Sequence, residues 1–204
     1  MIFQQLAMLI AILVVALVLS MFVHTFQSRR KILKNLQKFS GSIKGFEGKA
    51  VQKNILSFPS FEGKNGKRKI SAFFHVAEGK QTSVIYFTSA IDVKTPFSLF
   101  LKKEHFYRPV QNNRLEKNAG NLIPDVDPRF EIRSHDEGRT RRFFRNERVV
   151  SHLANLENYP AIQCGPDAVI ISKPYDGVKD TLPEAVAGGF ELLHILAEAM
   201  ESVS

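Results

Sequence analysis

The chain has no tryptophan, a single cysteine among 204 residues, and no Asp, Glu, Lys or Arg before Arg29. Each absence excludes something. A lone Cys164 rules out an intrachain disulfide and any zinc site built from cysteines, and it suits a reducing compartment. The uncharged opening lacks the basic n-region of a cleavable signal peptide. Its apolar run is longer than the about 7 to 15 residues such a peptide uses, and Met21, Phe22, Val23 and His24 at its end offer no small-residue cleavage pattern. The segment is therefore expected to stay in the mature protein. Catalytic, metal and cofactor constellations are missing too. His75, His105, His135, His152 and His194 are scattered, with no pair at metal-ligand spacing. No local signature supports Cys164 with His152 as nucleophile and base, so a buried structural thiol is expected. No cofactor, metal or small-molecule ligand is expected.

What is present begins with the run at residues 6–23. Twelve of these eighteen positions are Leu, Ile, Val or Phe, each favouring insertion by roughly 0.3 to 0.6 kcal/mol, about 4 to 7 kcal/mol in all. As a helix the run approaches the roughly 30 Å of a bilayer's hydrocarbon core. A transmembrane anchor over residues 1–28 is expected.

The formal charge of +8 suggests nucleic acid until its distribution is followed. Residues 29–49 hold Arg29, Arg30, Lys31, Lys34, Lys38, Lys44 and Lys49 against Glu47 alone, leaving only +2 for everything after. Basic residues flank the apolar run on its C-terminal side only, which by the positive-inside rule puts the N-terminus outside and the domain in the cytoplasm, on an inner membrane. Arg29, Arg30, Lys31, Lys34 and Lys38 thus form a collar facing anionic lipid, each able to contribute about 1 kcal/mol near the surface. Ile32, Leu33, Leu36 and Phe39 recur at helical spacing among these cations. Two readings fit: the anchor helix continues and packs on the domain, or a separate interfacial helix lies on lipid. Gly41, Gly45 and Gly48 are read as a joint, so residues 29–48 form a basic juxtamembrane helix and linker.

Residues 49–204 suit one domain. Strands are expected at 55–61, 70–76, 83–91, 97–106 and 129–135, from β-branched and aromatic runs or alternation between turn residues. Asn65-Gly66 marks a hairpin, and the three short connections favour an antiparallel meander. The polar stretch 107–128 reads as a long loop. A helix capped by Asp136 should run to about Asn158, followed by a hairpin around Gly165-Pro166-Asp167. A last helix should open with a Thr181/Glu184 capping box and Pro183, and bury Val186, Phe190, Leu193, Ala197 and Met200. Gly188 and Gly189 within it suggest close packing. The fold class is α+β: an N-terminal transmembrane helix, then a mostly antiparallel sheet with two helices on one face.

The strand Phe130-Glu131-Ile132-Arg133, the Arg-rich helix over 139–156, the Gly165-Pro166-Asp167 hairpin and the Leu/Ala-rich final helix, with the anchor, resemble small single-pass bacterial membrane proteins with no assigned activity. The resemblance implies the architecture and no catalytic residue. Arg141, Arg142 and Arg145 are the densest second basic group. With Arg129, Arg133, Arg139 and Arg148 they stand against Glu131, Asp136, Glu137 and Glu147. A salt-bridged, solvated face is favoured over an acidic-partner or anionic-lipid surface, and nucleic acid comes last. The expected function is a non-enzymatic, membrane-anchored protein whose domain binds a protein partner, a second copy of itself, or the anionic membrane surface. The alternative is an enzyme with a site in 107–136 using Glu131, His135 and Asp136.

Overall fold

A computed structural model of the chain describes residues 2–42, 45–78, 83–103, 130–154 and 161–204. The expected loop at 107–128 and the end of the helix near Asn158 lie outside the described residues.

Helix α1 (Ile2–Ser42) is uninterrupted over 41 residues, about 60 Å at 1.5 Å per residue. No proline or glycine stands between Met1 and Gly41 to break it. Its first part is apolar and wholly exposed, long and hydrophobic enough to cross a membrane. Its last part buries Ile32, Leu36 and Phe39 completely. The helix therefore continues into the domain, and removing those three side chains from water favours docking by roughly 5 to 9 kcal/mol.

One antiparallel sheet of eight strands follows, in the order β1-β2-β3-β4-β8-β7-β5-β6. Its strands are β1 (Phe46–Val51), β2 (Ser60–Asn65), β3 (Arg68–Glu78), β4 (Ser83–Asp92), β5 (Leu99–Lys103), β6 (Phe130–Ser134), β7 (Ala161–Cys164) and β8 (Ala168–Pro174). The other helices are α2 (Glu137–Phe144), α3 (Glu147–Ala154) and α4 (Pro183–Ser202). Buried residues of all four helices share one core with Phe61, Ile70, Phe87, Leu101, Ile132, Ile162 and Ile171 of the sheet. These strand residues belong to one face by register, so the helices cover one side, as expected for this α+β class.

Several boundaries differ from expectation for physical reasons. The apolar 55–61 run is mostly a turn: Asn54 Oδ1 accepts from Leu56 N at 3.1 Å and Ser57 N at 2.7 Å, and pairing starts only at Ser60. An unforeseen strand, β1, occupies part of the expected glycine joint. Gly48 and Gly63 face each other across β1 and β2, and a Cβ on Gly63 would collide with the Glu47 carbonyl oxygen. The bare ladder is what lets the Phe61 ring lie against it. At the hairpin, Asn65 closes β2 opposite Arg68 and Gly66 takes φ +60°.

The meander stops at β4, because the β7–β8 hairpin pairs between β4 and β5. Val93 N and Thr95 N donate to the carbonyls of Asp167 and Pro166, so the chain leaving β4 crosses the tip of that hairpin. The expected single helix after Asp136 is two. Asp136 caps α2 through Arg139 N at 2.8 Å, but Asn146 Oδ1 accepts from Arg148 N at 3.1 Å and starts α3 afresh. For α4 the N-cap is Leu182 with no side-chain bond, and Pro183 opens the first turn. Thr181 is buried and donates to the Val178 carbonyl, closing a 3₁₀ turn (Val178–Thr181) instead of a capping box. The five expected core residues of α4 are buried. Gly188, by contrast, is exposed, and a Cβ there would meet nothing within 4 Å, so close packing does not explain it.

Candidate functional site at the helix–domain junction

The cationic and apolar faces of α1 separate cleanly after Arg29. Arg30, Lys31, Lys34 and Lys38 are exposed, while Ile32, Leu36 and Phe39 turn into the core. Phe39 sits in an aromatic seam, with ring centroids 5.0 Å from Phe61, 5.5 Å from Phe190 and 5.6 Å from Phe46. Such pairs add about 0.5 to 1.5 kcal/mol each beyond burial. The wealth of phenylalanine is thereby partly explained: it joins α1, α4 and the sheet.

Polar contacts orient the joint. The Arg29 guanidinium lies 3.0 Å above the centre of the Phe58 ring, a cation–π contact worth roughly 1 kcal/mol. Phe58 in turn stacks on Phe74 at 4.3 Å and meets Tyr175 edge-on at 5.8 Å. Asn35 Nδ2 donates to Thr181 Oγ1 at 3.3 Å and to the Val178 carbonyl at 3.5 Å. The turn so gripped carries a buried ion pair, Lys173 Nζ to Asp180 Oδ1 at 2.9 Å, whose other carboxylate oxygen accepts from Asp176 N at 2.6 Å. Beside it Asp176 and Lys179 form an exposed pair, and the lysine holds the Asp176 carboxyl below its usual range.

The second basic group is elsewhere. Arg141 and Arg142 are exposed on α2 and Arg145 is exposed at its C-cap; α2 follows β6 at the sheet edge opposite β1. Eight strands at about 4.8 Å spacing set those edges some 34 Å apart. The structure does not bring the two groups together. Arg141 pairs with Glu137 at 2.8 Å, Arg139 with Asp136 at 3.5 Å, and Arg133 with Glu131. Such exposed pairs contribute about 0.2 to 1 kcal/mol each. Glu131 and Asp136, candidates for the enzymatic alternative, are thus engaged by Arg133 and by the cap of α2, and His135 is exposed.

Cys164 faces the core in register with Leu99 and Val169, and burial pushes its thiol up to about 12. His152 bonds instead to the Arg148 carbonyl at 2.8 Å. His194 joins a polar cluster: its Nδ1 lies 3.2 Å from Arg68 Nη1 and its Nε2 3.1 Å from Glu198. An arginine can only donate, so Nδ1 accepts and Nε2 carries the proton.

One cluster had no signal in the sequence. On the sheet face away from the helices, β3, β4 and β8 place His75 Nδ1 2.9 Å from Thr88 Oγ1, and Thr88 Oγ1 2.9 Å from Ser172 Oγ. His75 stacks on Tyr86 with centroids 5.1 Å apart. Its Nε2 is buried without a hydrogen-bond partner among the described residues, and desolvation lowers the imidazole's pKa. Thr88 is the hydroxyl bonded to His75, but it is buried and the other ring nitrogen of His75 has no orienting partner among the described residues, so the trio lacks the third group of a nucleophile–base arrangement. Among the described residues no three His, Cys, Asp or Glu side chains gather as metal ligands.

Near the open edge of the sheet, an 820 Å³ depression is lined by Glu47, Lys49, Glu62, Lys64, Lys69, Ser71 and Asp92, with Gly48, Gly63 and Ile70. Glu47 faces Lys64 and Lys49 faces Glu62 across β1 and β2. Its three carboxylates and three ammonium groups balance, so it selects no ion of either sign.

No protein-family model and no curated protein matches the chain. Among solved structures, the crystal structure of the mycobacterial trehalose monomycolate transport factor A, TtfA, is similar at 14% identity over 82% of this chain and 97% of that one, with a TM-score of 0.41. At that distance the likeness assigns neither family, activity nor partner.

Proposed function

We propose that the protein is a non-enzymatic, single-pass protein of a bacterial inner membrane, with its N-terminus outside and its α+β domain in the cytoplasm against the anionic lipid surface. The observation that carries this reading is the two-part character of α1. An exposed apolar segment runs without a break into a segment that is core on one side and cationic on the other. A domain fused to its anchor in this way is held at a set height and orientation above the bilayer.

Distance decides which cations matter. Counting 1.5 Å per residue from Val23, Arg29 to Lys31 lie about 9 to 12 Å beyond the hydrocarbon edge, just outside a headgroup layer of roughly 5 to 8 Å. Lys34 is at about 16 Å and Lys38 at about 22 Å, the latter well beyond a Debye length of about 8 Å from the headgroups. Arg30 and Lys31, both exposed, therefore supply most of the attraction, together about 2 kcal/mol, while the half-buried Arg29 is engaged on Phe58. Arg141, Arg142 and Arg145 follow the opposite edge strand, β6, and are not needed for it.

Protease protection tests the reading. In intact cells or spheroplasts the domain should resist external protease and be degraded only after lysis. Digestion from outside would overturn the topology. Replacing Arg29, Arg30 and Lys31 with glutamate should invert a fraction of molecules, and the same change at Lys34 and Lys38 should invert fewer.

A further inference from the structure

The connection between β1 and β2, residues 52–59, has features that the anchoring reading does not use. Ile55 is 61% and Leu56 51% exposed, yet neither sits on a floppy loop. Gln52 Nε2 donates to the Ile55 carbonyl at 3.2 Å and the Ser57 carbonyl at 2.9 Å. Asn54 Oδ1 accepts from Leu56 N and Ser57 N, and Ser57 Oγ bonds both the amide and the carbonyl of Asn54. The polar backbone at the tip is thus largely satisfied from within, which is the condition for entering a region poor in water. Two aliphatic side chains are left pointing outward, flanked by the exposed Lys53.

The position of the loop is fixed relative to α1. The chain turns at the end of α1 and comes back along it: Phe46 meets Phe39, and twelve residues later Phe58 lies beneath Arg29. Strand β1 therefore runs toward the apolar end of α1, and the tip at Ile55 and Leu56 lies beyond the last paired residues, Val51 and Ser60. Because residues 54–57 are folded as a turn, the tip stands within about 7 Å of Phe58, most of the way across the gap of about 9 Å between Arg29 and the end of the apolar run at Val23.

We infer that residues 52–59 form a second membrane contact, with Ile55 and Leu56 inserted at the headgroup–acyl boundary beside α1. The occupant is lipid, because the loop is tied by Phe58 to the same turn of α1 that carries the cationic collar, and because interfacial contacts pair an apolar tip with flanking cations. With the anchor as one support and the loop as the other, the domain is prevented from rotating about the axis of α1. The inference rests on α1 crossing the bilayer.

The test uses the full-length protein in phosphatidylcholine–phosphatidylglycerol vesicles, with an environment-sensitive fluorophore at Ile55→Cys, Val15→Cys or Lys67→Cys and quenchers attached to the lipid acyl chains. The native Cys164 is buried and stays unlabelled. Position 15 reports the anchor, and position 67, at the β2–β3 hairpin, reports the far end of the domain. The label at 55 should be blue-shifted and quenched several-fold more than the label at 67, with strongest quenching at 15. Quenching at 15 combined with a label at 55 as wet as that at 67 overturns the loop contact and leaves the anchor standing. Absence of quenching at 15 overturns both.

Discussion

Phe39→Ala separates a helix that belongs to the domain core from one that only lies near it. Phe39 is fully buried and its ring packs on Phe46, Phe61 and Phe190. Truncating such a side chain removes its transfer free energy and leaves a cavity, at a cost of about 3 to 5 kcal/mol. For a domain of this size the melting temperature should fall by roughly 6 to 20 °C. The chain has no tryptophan, so urea unfolding in mild detergent would be followed by tyrosine near-ultraviolet circular dichroism. The midpoint should drop by about 1 to 3 M at unchanged slope. Lys38→Ala, one residue away and exposed, should change stability by less than about 0.5 kcal/mol. If Phe39→Ala behaved like Lys38→Ala, the last third of α1 would not be part of the core and the docking argument would fail.

Other residues give further outcomes. Gly188→Ala should stabilise the fold by about 0.5 to 1 kcal/mol, since the site is an exposed helix interior with room for the methyl; a lower melting temperature would show a backbone requirement for glycine at that turn. Gly63→Ala should do the opposite, by at least about 1 to 3 kcal/mol, because its Cβ would meet backbone and not a movable side-chain tip. His75 has a folded-state pKa below its unfolded value through desolvation. Below pH 6.5 the unfolded chain binds more protons, so stability should fall as pH drops from 7.5 to 5, and His75→Asn should flatten that slope. Cys164, with its thiol pushed up to about 12, should react with thiol reagents only on unfolding; rapid labelling of the native protein would contradict its burial.

Local physics made much of this architecture readable. The helical apolar run at the start of α1, the buried stripe of α4 and the hairpin at Gly66 all follow from periodicity and turn chemistry within a few residues, and the structure reproduces them. Features set by distant partners were not readable. Nothing near Asp92 indicates that the β7–β8 hairpin, some seventy residues later, will pair with β4 and displace β5. Strand β1 reads as a linker because Gly41, Gly45 and Gly48 punctuate this stretch, whereas what orders it is the ladder to β2, later in the chain. Ile55 and Leu56 looked like a strand because exposed apolar residues and buried ones are spelled alike. Asn146 and Thr181 had cap chemistry that could be recognised, but whether each residue caps a helix depended on the turn it entered.

The same division applies to the candidate site. The cations of α1 were legible as a cluster because they are sequential, and the structure sorts them by height along the helix. Arg141, Arg142 and Arg145 share their chemistry but follow the opposite edge strand, a separation that only strand order reveals. The His75, Thr88 and Ser172 contact spans three strands joined by register alone, so no motif could have announced it.

The central claim is that the domain is built onto the end of its membrane helix, with no hinge between them. Spin labels at Ser20→Cys and Lys38→Cys test it most directly, since both positions are exposed and eighteen helical residues make five full turns, leaving the labels on one face about 27 Å apart along the axis. Pulsed dipolar spectroscopy of the full-length protein in lipid nanodiscs should give one narrow distance distribution consistent with that separation. A broad distribution, or a distinctly shorter mean, would place a joint between anchor and domain and contradict the account.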